Sequence, residues 1–399
     1  MIVYCEGNVD GTVGGSYYLL YDLVRSLDPS KYYPIVTFYT DNLLVPKLRD
    51  SGIETHVFHR PDPIILCQQK KNQGVFGKVA YLFTRPLQRI LNIVNRLILP
   101  AIKISRFLKA CKADMVNLNN SITRNHEWFL ACKIVGVPCT THEMGINENF
   151  SFMTRYWGRR TAAIFSLSNA ITGNMRQKGC DWSHIYTIHC GIDLSRYQIK
   201  RTPEKIRSLY SIDKDDPVIG VVGNIKLWKG QETVIRAVAL VIEHFPTLKC
   251  LLVGGSAQSD MPYHKRLEEL CEDFNIKQHV IFTGFQPNPI DFMNTMDIVI
   301  HSSILPEPFG IVNLEAMSLK KPIISTKIGA PLEIFEDGIS GYLVTPGKPD
   351  ELARCIENLL SNREHAHSIG SAAYKRLKEK FTLDDNVRKT VAIYRHILR

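Results

Sequence analysis

The sequence is poor in several features, and each absence narrows the choice. Its ten cysteines are scattered singly, without a CxxC pair. That pattern argues against a disulfide framework or a zinc site and fits a reducing, cytoplasmic setting. No run of about 18 uncharged apolar residues occurs, the length a spanning helix needs. No basic segment followed by an apolar one precedes the first strand-like run, IVYC at 2–5, so no secretory leader is expected. Repeats at solenoid periods and low-complexity tracts are missing as well. With 399 residues, 45% hydrophobic and 22% charged, the chain reads as globular protein long enough for two domains. The most localised absence is of acid: no Asp or Glu lies between Asp62 and Asp114.

That window holds ten basic residues, and residues 1–199 carry +9 of the net charge of +10. Such asymmetry implies a local anionic partner. Lys78, Arg85, Arg89, Arg96 and Lys103 step by 7, 4, 7 and 7, which keeps them on one helical stripe. Apolar residues such as Leu87, Ile90, Val94 and Ile98 lie between them, and Pro86 and Pro100 predict more than one helix. A basic stripe beside an apolar face suits an interfacial helix resting on anionic lipid. A core-facing helix with a solvated basic back fits the same letters. Nucleic acid is not expected, because neither interleaved stacking aromatics nor a known motif accompanies the charge.

The rest of the chain alternates short apolar runs with helix-length segments. In the second half the runs are VIGVVG (218–223), CLLVGG (250–255), VIFTG (280–284), DIVIHS (297–302) and PIISTK (322–327), with amphipathic stretches at 230–245 and 263–275. In the first half they are IVYC (2–5), PIVTFY (34–39), DMVNLN (114–119), PCTTH (138–142) and AIFSLS (163–168). Continuous β-branched runs separated by helices predict parallel sheets covered on both faces. The expectation is an α/β chain of two tandem Rossmann-like, doubly wound domains facing a cleft. Residues 1–192 form the first and 193–381 the second, with IYTIHCGIDLSRY (185–197) as the linker. The helical segment 382–399 crosses back toward the first. Ligands of such sheets bind beyond the carboxyl ends of the strands.

Four loops carry candidate chemistry. In LPEPFGIVNLEAM (305–317) a helix is predicted to start near Phe309–Gly310. Its first amides and positive dipole end suit a phosphate, and glycine permits close approach. Glu315, one turn in, can accept hydrogen bonds from two adjacent hydroxyls such as a ribose offers, and Glu307 lies in the loop before the helix. The spacing equally fits an ordinary capped helix with two solvated glutamates. In GNIKLWKG (223–230) Lys229 precedes a helix and can hold a diphosphate, or be a solvated lysine before a turn glycine. In EGNVDGTVGG (6–15) Gly14 and Gly15 offer a backbone approach. This loop is not the GxGxxG fingerprint, which disfavours a nicotinamide enzyme. In PCTTHE (138–143) His142 closes a strand and is placed to reach a sugar hydroxyl, though strand-end histidines are often structural. Glu143 reads as a helix N-terminal carboxylate. The DxD at Asp213–Asp215 precedes a strand and reads as a solvated turn rather than a metal site.

The order of these motifs resembles the retaining glycosyltransferases of family 4, which have the GT-B architecture. The matching pieces are the early GG turn, TTHE, TIHCGID, GNIKLWKG, TGF (283–285), EPFGIVNLEAM and ISTKIGAPLEIFEDGISGYLVTPGKPDELA (324–353). The resemblance implies that Glu315 holds the nucleotide ribose and Glu307 lies near the donor sugar. Lys229, with amides around Gly310 and Ile311 and with Phe309 alongside, would neutralise the leaving diphosphate. Gly15 would approach the phosphate, His142 would contact the sugar, and the base would lie against Gly284 and Phe285. The family often has an arginine where this chain has Asn224, with Lys226 as a substitute cation nearby. The implied reaction moves a sugar from a nucleotide sugar to a carbohydrate or lipid-linked oligosaccharide, without metal or cofactor, at the cytoplasmic face of a membrane. Such work belongs to cell-surface polysaccharide or glycolipid synthesis. UDP is favoured as carrier because it is common, not because a residue selects it. The alternatives are an inactive nucleotide-sugar-binding relative, which Asn224 motivates, and an epimerase or hydrolase of the same fold.

Overall fold

Short runs of Ile, Val and Leu become strands whose side chains are buried on both faces, because helices cover each side. The computed structural model describes residues 1–8, 15–66, 75–120 and 122–399, the side chains of 75–83 excepted. Gly14, Lys70, Lys71 and the Lys78 side chain lie outside the described residues. The chain divides into two compact units. One comprises Met1–Leu167, Thr172–Ile188 and Val387–Arg399; the other comprises Ser168–Ile171 and His189–Asn386.

Among the described residues of the first unit, seven strands form one parallel sheet: β1 (Ile2–Cys5), β2 (Pro34–Phe38), β3 (Glu54–Val57), β4 (Met115–Leu118), β5 (Cys139–Glu143), β6 (Ala163–Ser166) and β7 (Ile185–Thr187). Their order is β3-β2-β1-β4-β5-β6-β7, so the winding reverses between β1 and β4. Five of these strands were legible as apolar runs. β3 was not, because an edge strand reading ETHV has no apolar run. β7 corrects the linker, whose first residues are the last strand of this sheet. The terminal helix Leu383–Ile397 lends Tyr394 to the core of this unit, where its ring meets Phe165 edge-on at 5.7 Å.

The second unit holds β8 (Val218–Val222), β9 (Lys249–Val253), β10 (Val280–Gly284), β11 (Ile298–His301), β12 (Ile323–Thr326) and β13 (Tyr342–Val344). All pair in parallel in the order β10-β9-β8-β11-β12-β13, and the reversal lies between β8 and β11. Helices Gln231–Val241 and Met261–Asp273 cover the sheet close to where the periodicity puts them.

The basic segment folds differently from its prediction. One helix runs Val75–Ile93 straight through Pro86, since a missing ladder bond, about 3 kcal/mol, does not end a helix of 19 residues. The break comes at a π-helical turn, Val94–Ile98, followed by the helix Leu99–Ala110. Pro100 explains the turn. Its ring would collide with the carbonyl four residues back in an α-helix, and a wider turn moves that carbonyl away. The widened turn also shifts the helical phase, so the five cations do not keep a single stripe. Arg89 is exposed, Arg96 is half-buried, and the Lys103 ammonium sits 5.8 Å from the centre of the Phe58 ring.

Candidate functional site

In the second unit the loops after β8 and β11 meet at the reversal of strand order, where doubly wound sheets bind ligands. The first loop ends in a 3₁₀ turn, Leu227–Lys229, and Gly230 with φ +70°. A Cβ on Gly230 would lie 2.1 Å from the Ser302 carbonyl oxygen, so only glycine lets the two loops touch. The Ser302 hydroxyl donates to the Lys229 carbonyl at 2.8 Å, and the Ile304 amide donates to the Trp228 carbonyl at 2.8 Å. Gly230→Ala adds both the clash and a left-handed backbone strain of roughly 1–2 kcal/mol. It is expected to lower the melting temperature by about 4 °C or more, at ~2–4 °C per kcal/mol for a domain of this size. Differential scanning calorimetry checks this, and an unchanged melt would mean the loops are not clamped.

The clamp delivers Lys229 to Glu307. The ammonium lies 2.8 Å from Glu307 Oε2, which also accepts from the Ser303 hydroxyl at 2.9 Å and from His301 Nε2 at 3.2 Å. The other ring nitrogen, Nδ1, lies 2.9 Å from the Ser325 hydroxyl, which fixes the imidazole. Burial opposes the charge on Glu307, but the hydrogen bond and charge of His301, with those of Lys229, hold its pKa down to about 2. This carboxylate therefore stays ionised. Its backbone is fixed as well, because its carbonyl accepts from the Ala330 amide at 3.0 Å and Gly329, with φ +78°, packs directly on it.

Gly310 caps the helix Ile311–Ser318 with φ +82°. A Cβ on it would lie 2.9 Å from Asn313 Nδ2 and 3.1 Å from Glu307 Cγ. The glycine thus seats the helix start beside the Lys229–Glu307 pair, and the amide of Ile311 opens the helix. Phe309, expected among the donor contacts, is 3% exposed and packs against His189 and Phe381. Its ring is taken up by the core and serves to hold the glycine turn. Glu315 sits one turn into the helix. Burial raises its pKa to about 7, against the charge of Arg196 and a hydrogen bond from Tyr197. Gly284 ends β10 with φ +66°, and the Phe285 side chain beyond it is 76% exposed. The Asn224 side chain is exposed, while its carbonyl accepts from Gln231 at 3.0 Å.

The first unit holds its own polar residues at strand ends. His142 is buried on β5, with Nδ1 3.1 Å from Asn117 Oδ1 and its ring tilted on Phe165. Burial lowers its pKa to about 4, so at neutral pH it is an uncharged hydrogen-bonding group. Glu143 is not a helix N-terminal carboxylate. It is the buried last residue of β5, accepting from Asn147 at 3.0 Å and from the Ile122 amide at 3.3 Å. Gly15 opens the helix Gly15–Arg25. Asp213 and Asp215 are exposed in a turn before β8, where the Asp213 amide donates to Asp216. Among the described residues no three His, Cys, Asp or Glu side chains converge.

His301 and Ser303 escaped sequence reasoning. Their only signal was position, directly after an apolar strand and ahead of Glu307. Arg196 and Tyr197 stood in a segment read as linker, 119 and 118 positions ahead of Glu315, with nothing to join them.

Two Rossmann-like parallel sheets, each with its own reversal point, and a buried cation–carboxylate pair beside a glycine-capped helix define a class of nucleotide-sugar enzymes. Residues 203–376 match the family described as Glycosyl transferases group 1, and residues 43–196 match Glycosyltransferase Family 4. The chain belongs to this glycosyltransferase family and has its GT-B fold. The uncharacterized glycosyltransferase MJ1607 of Methanocaldococcus jannaschii is 30% identical over 216 residues, 53% of this chain and 54% of that protein, so the match spans about half of that relative. The N-acetyl-alpha-D-glucosaminyl L-malate synthase of Bacillus anthracis is 24% identical over 75% of this chain and 79% of its own length. The crystal structure of Anabaena Alr3699/HepE in complex with UDP superposes with a TM-score of 0.80 at 24% identity, covering 99% of each chain.

Proposed function

We propose that this chain is a retaining glycosyltransferase that takes a sugar from a UDP-sugar and passes it to a carbohydrate or lipid-linked acceptor. The observation that carries the reading is the Lys229–Glu307 pair, held beside the Gly310 helix start at the strand-order reversal. A diphosphate arriving there competes with Glu307 for the ammonium, while His301 and Ser303 keep the carboxylate satisfied. The bond between the anomeric carbon and the phosphate oxygen breaks, and Lys229 and helix amides stabilise the charge that develops on the diphosphate. The acceptor hydroxyl oxygen attacks from the same face, and its proton passes to the departing phosphate oxygen. Lys229 and the amides supply the neutralisation a metal would otherwise give. Glu315 takes the ribose, and Gly284 and Phe285 flank the base. The UDP bound to the Anabaena protein supports uridine as the base.

Thermal melting with UDP, GDP and ADP tests the donor site. A ligand at about 100 times its dissociation constant adds ~2.7 kcal/mol, several degrees for a domain of this size. A shift with UDP is expected, and no shift with any of the three would remove the donor site. Acceptor-dependent release of UDP separates a transferase from an inactive binding relative, the reading that Asn224 motivates. Turnover of donor without acceptor would favour a hydrolase or epimerase.

The acceptor reading includes a membrane. Among the described residues no helix is long and apolar enough to cross a bilayer. On the helical segment 75–110, however, Leu87, Ile90, Ile93 and Leu99 are each more than half exposed, beside Arg85 and Arg89. An apolar face edged with cations suits the surface of anionic lipid. Flotation with anionic vesicles at low salt is expected to carry the protein up, and neutral vesicles or high salt are expected to leave it behind. A protein that ignores anionic vesicles at low salt would sink the membrane reading.

A further inference from the structure

Inside the first unit a cavity of about 690 Å³ gathers four guanidinium groups, those of Arg60, Arg89, Arg96 and Arg124. They come from three separate stretches, a loop after β3, the helical segment 75–98 and the loop before the helix His126–Val135. One carboxylate faces them, Glu127, and it is already engaged: it accepts from the Tyr39 hydroxyl and lies 3.6 Å from Arg60. Arg124 donates to Asn8 at 3.1 Å. Burial lowers the pKa of His126, which also lines the cavity, so it adds no charge at neutral pH.

The cavity also has buried polar atoms in need of partners. The Nε atoms of Arg60 and Arg96 are buried without a hydrogen-bond partner among the described residues. So are both amide atoms of Asn125, which is 1% exposed, has φ +57° and lines the same space. Leaving such donors unpaired is costly, and a protein that keeps several around one cavity has a reason to. Three uncompensated positive charges and planar forks suit a phosphate better than a carboxylate. One wall is apolar, made by Ile93, Leu97 and Met153, and Ile93 is half exposed toward Ile90 and Leu87.

We propose that this cavity binds the phosphate or diphosphate group of a phosphate ester, with the rest of the ester lying along Ile93 and Leu97. Identifying that ester as the sugar acceptor rests on the transferase reading; the anion site does not. The ester is either a soluble sugar phosphate or a lipid phosphate, and the shared chemistry is the phosphate.

Isothermal titration of the full chain with inorganic pyrophosphate tests the site. Because the donor site also suits pyrophosphate, the titration is repeated in Lys229→Ala. The expected result is binding that survives Lys229→Ala and weakens tenfold or more in Arg96→Gln. Arg89→Gln, at an exposed position, is expected to weaken it too and serves where Arg96→Gln melts early. Absence of binding to the wild type, loss of all binding in Lys229→Ala, or unchanged affinity in both arginine variants would overturn the proposal. UDP titrated in parallel reports on the donor site separately, so either reading can fail alone. Competition then distinguishes the sources. Farnesyl diphosphate displacing pyrophosphate tenfold better than glucose 1-phosphate supports a lipid phosphate, the reverse supports a soluble one, and displacement by neither overturns the site.

Discussion

Lys229→Ala is expected to lower kcat for sugar transfer by about 10²- to 10³-fold, the effect of removing one preorganised group that stabilises developing charge. The side chain is held for this task before substrate arrives, 2.8 Å from Glu307 and over the neighbouring Trp228 ring at 4.1 Å. Charge on the diphosphate grows as the sugar leaves, so kcat should fall further than KM rises. Lys229→Arg should restore only part of the rate, because a planar fork does not replace a compact ammonium between Trp228 and Glu307. The unit should still fold, since Glu307 keeps His301 and Ser303 as partners. Steady-state assay with UDP-glucose, alongside a melting curve, checks both statements. A variant with wild-type kcat would remove Lys229 from the mechanism.

The second large effect is on pH. Glu315 titrates near 7 in the folded chain because of burial, well above its ordinary 4.5. Only the ionised form can accept hydrogen bonds from both ribose hydroxyls, so UDP should favour it and pull its pKa back down. UDP affinity is therefore expected to rise between about pH 6 and 8, by roughly tenfold for each pKa unit that binding removes. Above that range it should level off. Stability of the free chain should run the other way. Between about 4.5 and 7 the folded state holds a proton that the unfolded state has lost, so stability from this group is full below 4.5 and falls as pH rises through 7. Glu315→Gln should flatten both curves and weaken UDP binding at pH 8. Titration calorimetry across pH checks the first and thermal melting the second; a UDP affinity that does not respond to pH would deny Glu315 the ribose.

The two glutamates show what a linear reading can reach. Glu307 and Glu315 stand either side of a glycine after an apolar strand, and the structure puts that glycine at a helix cap with φ +82°. Local letters sufficed because strand, turn and helix start are all local. Phe309 shows the limit. In sequence it is as close to the glycine as Ile311, and only packing against His189 and Phe381 reveals that its ring faces the core.

The sequence by itself determined the α/β class, the two parallel sheets and the loops that carry chemistry. Apolar period and glycine placement are short-range properties that folding leaves in place. Only the tertiary structure decided which side chains meet. Lys229 and Glu307 are 78 residues apart and touch because β8 and β11 are neighbours in a sheet whose order departs from chain order. The arginines of the first unit show the same thing from the other side. A seven-residue rhythm put Arg89 and Arg96 on an outer stripe, but a π-turn before Pro100 changed the helical phase and brought both to the wall of one cavity with Arg60. Periodicity counts residues per turn, and it fails where backbone geometry changes that number.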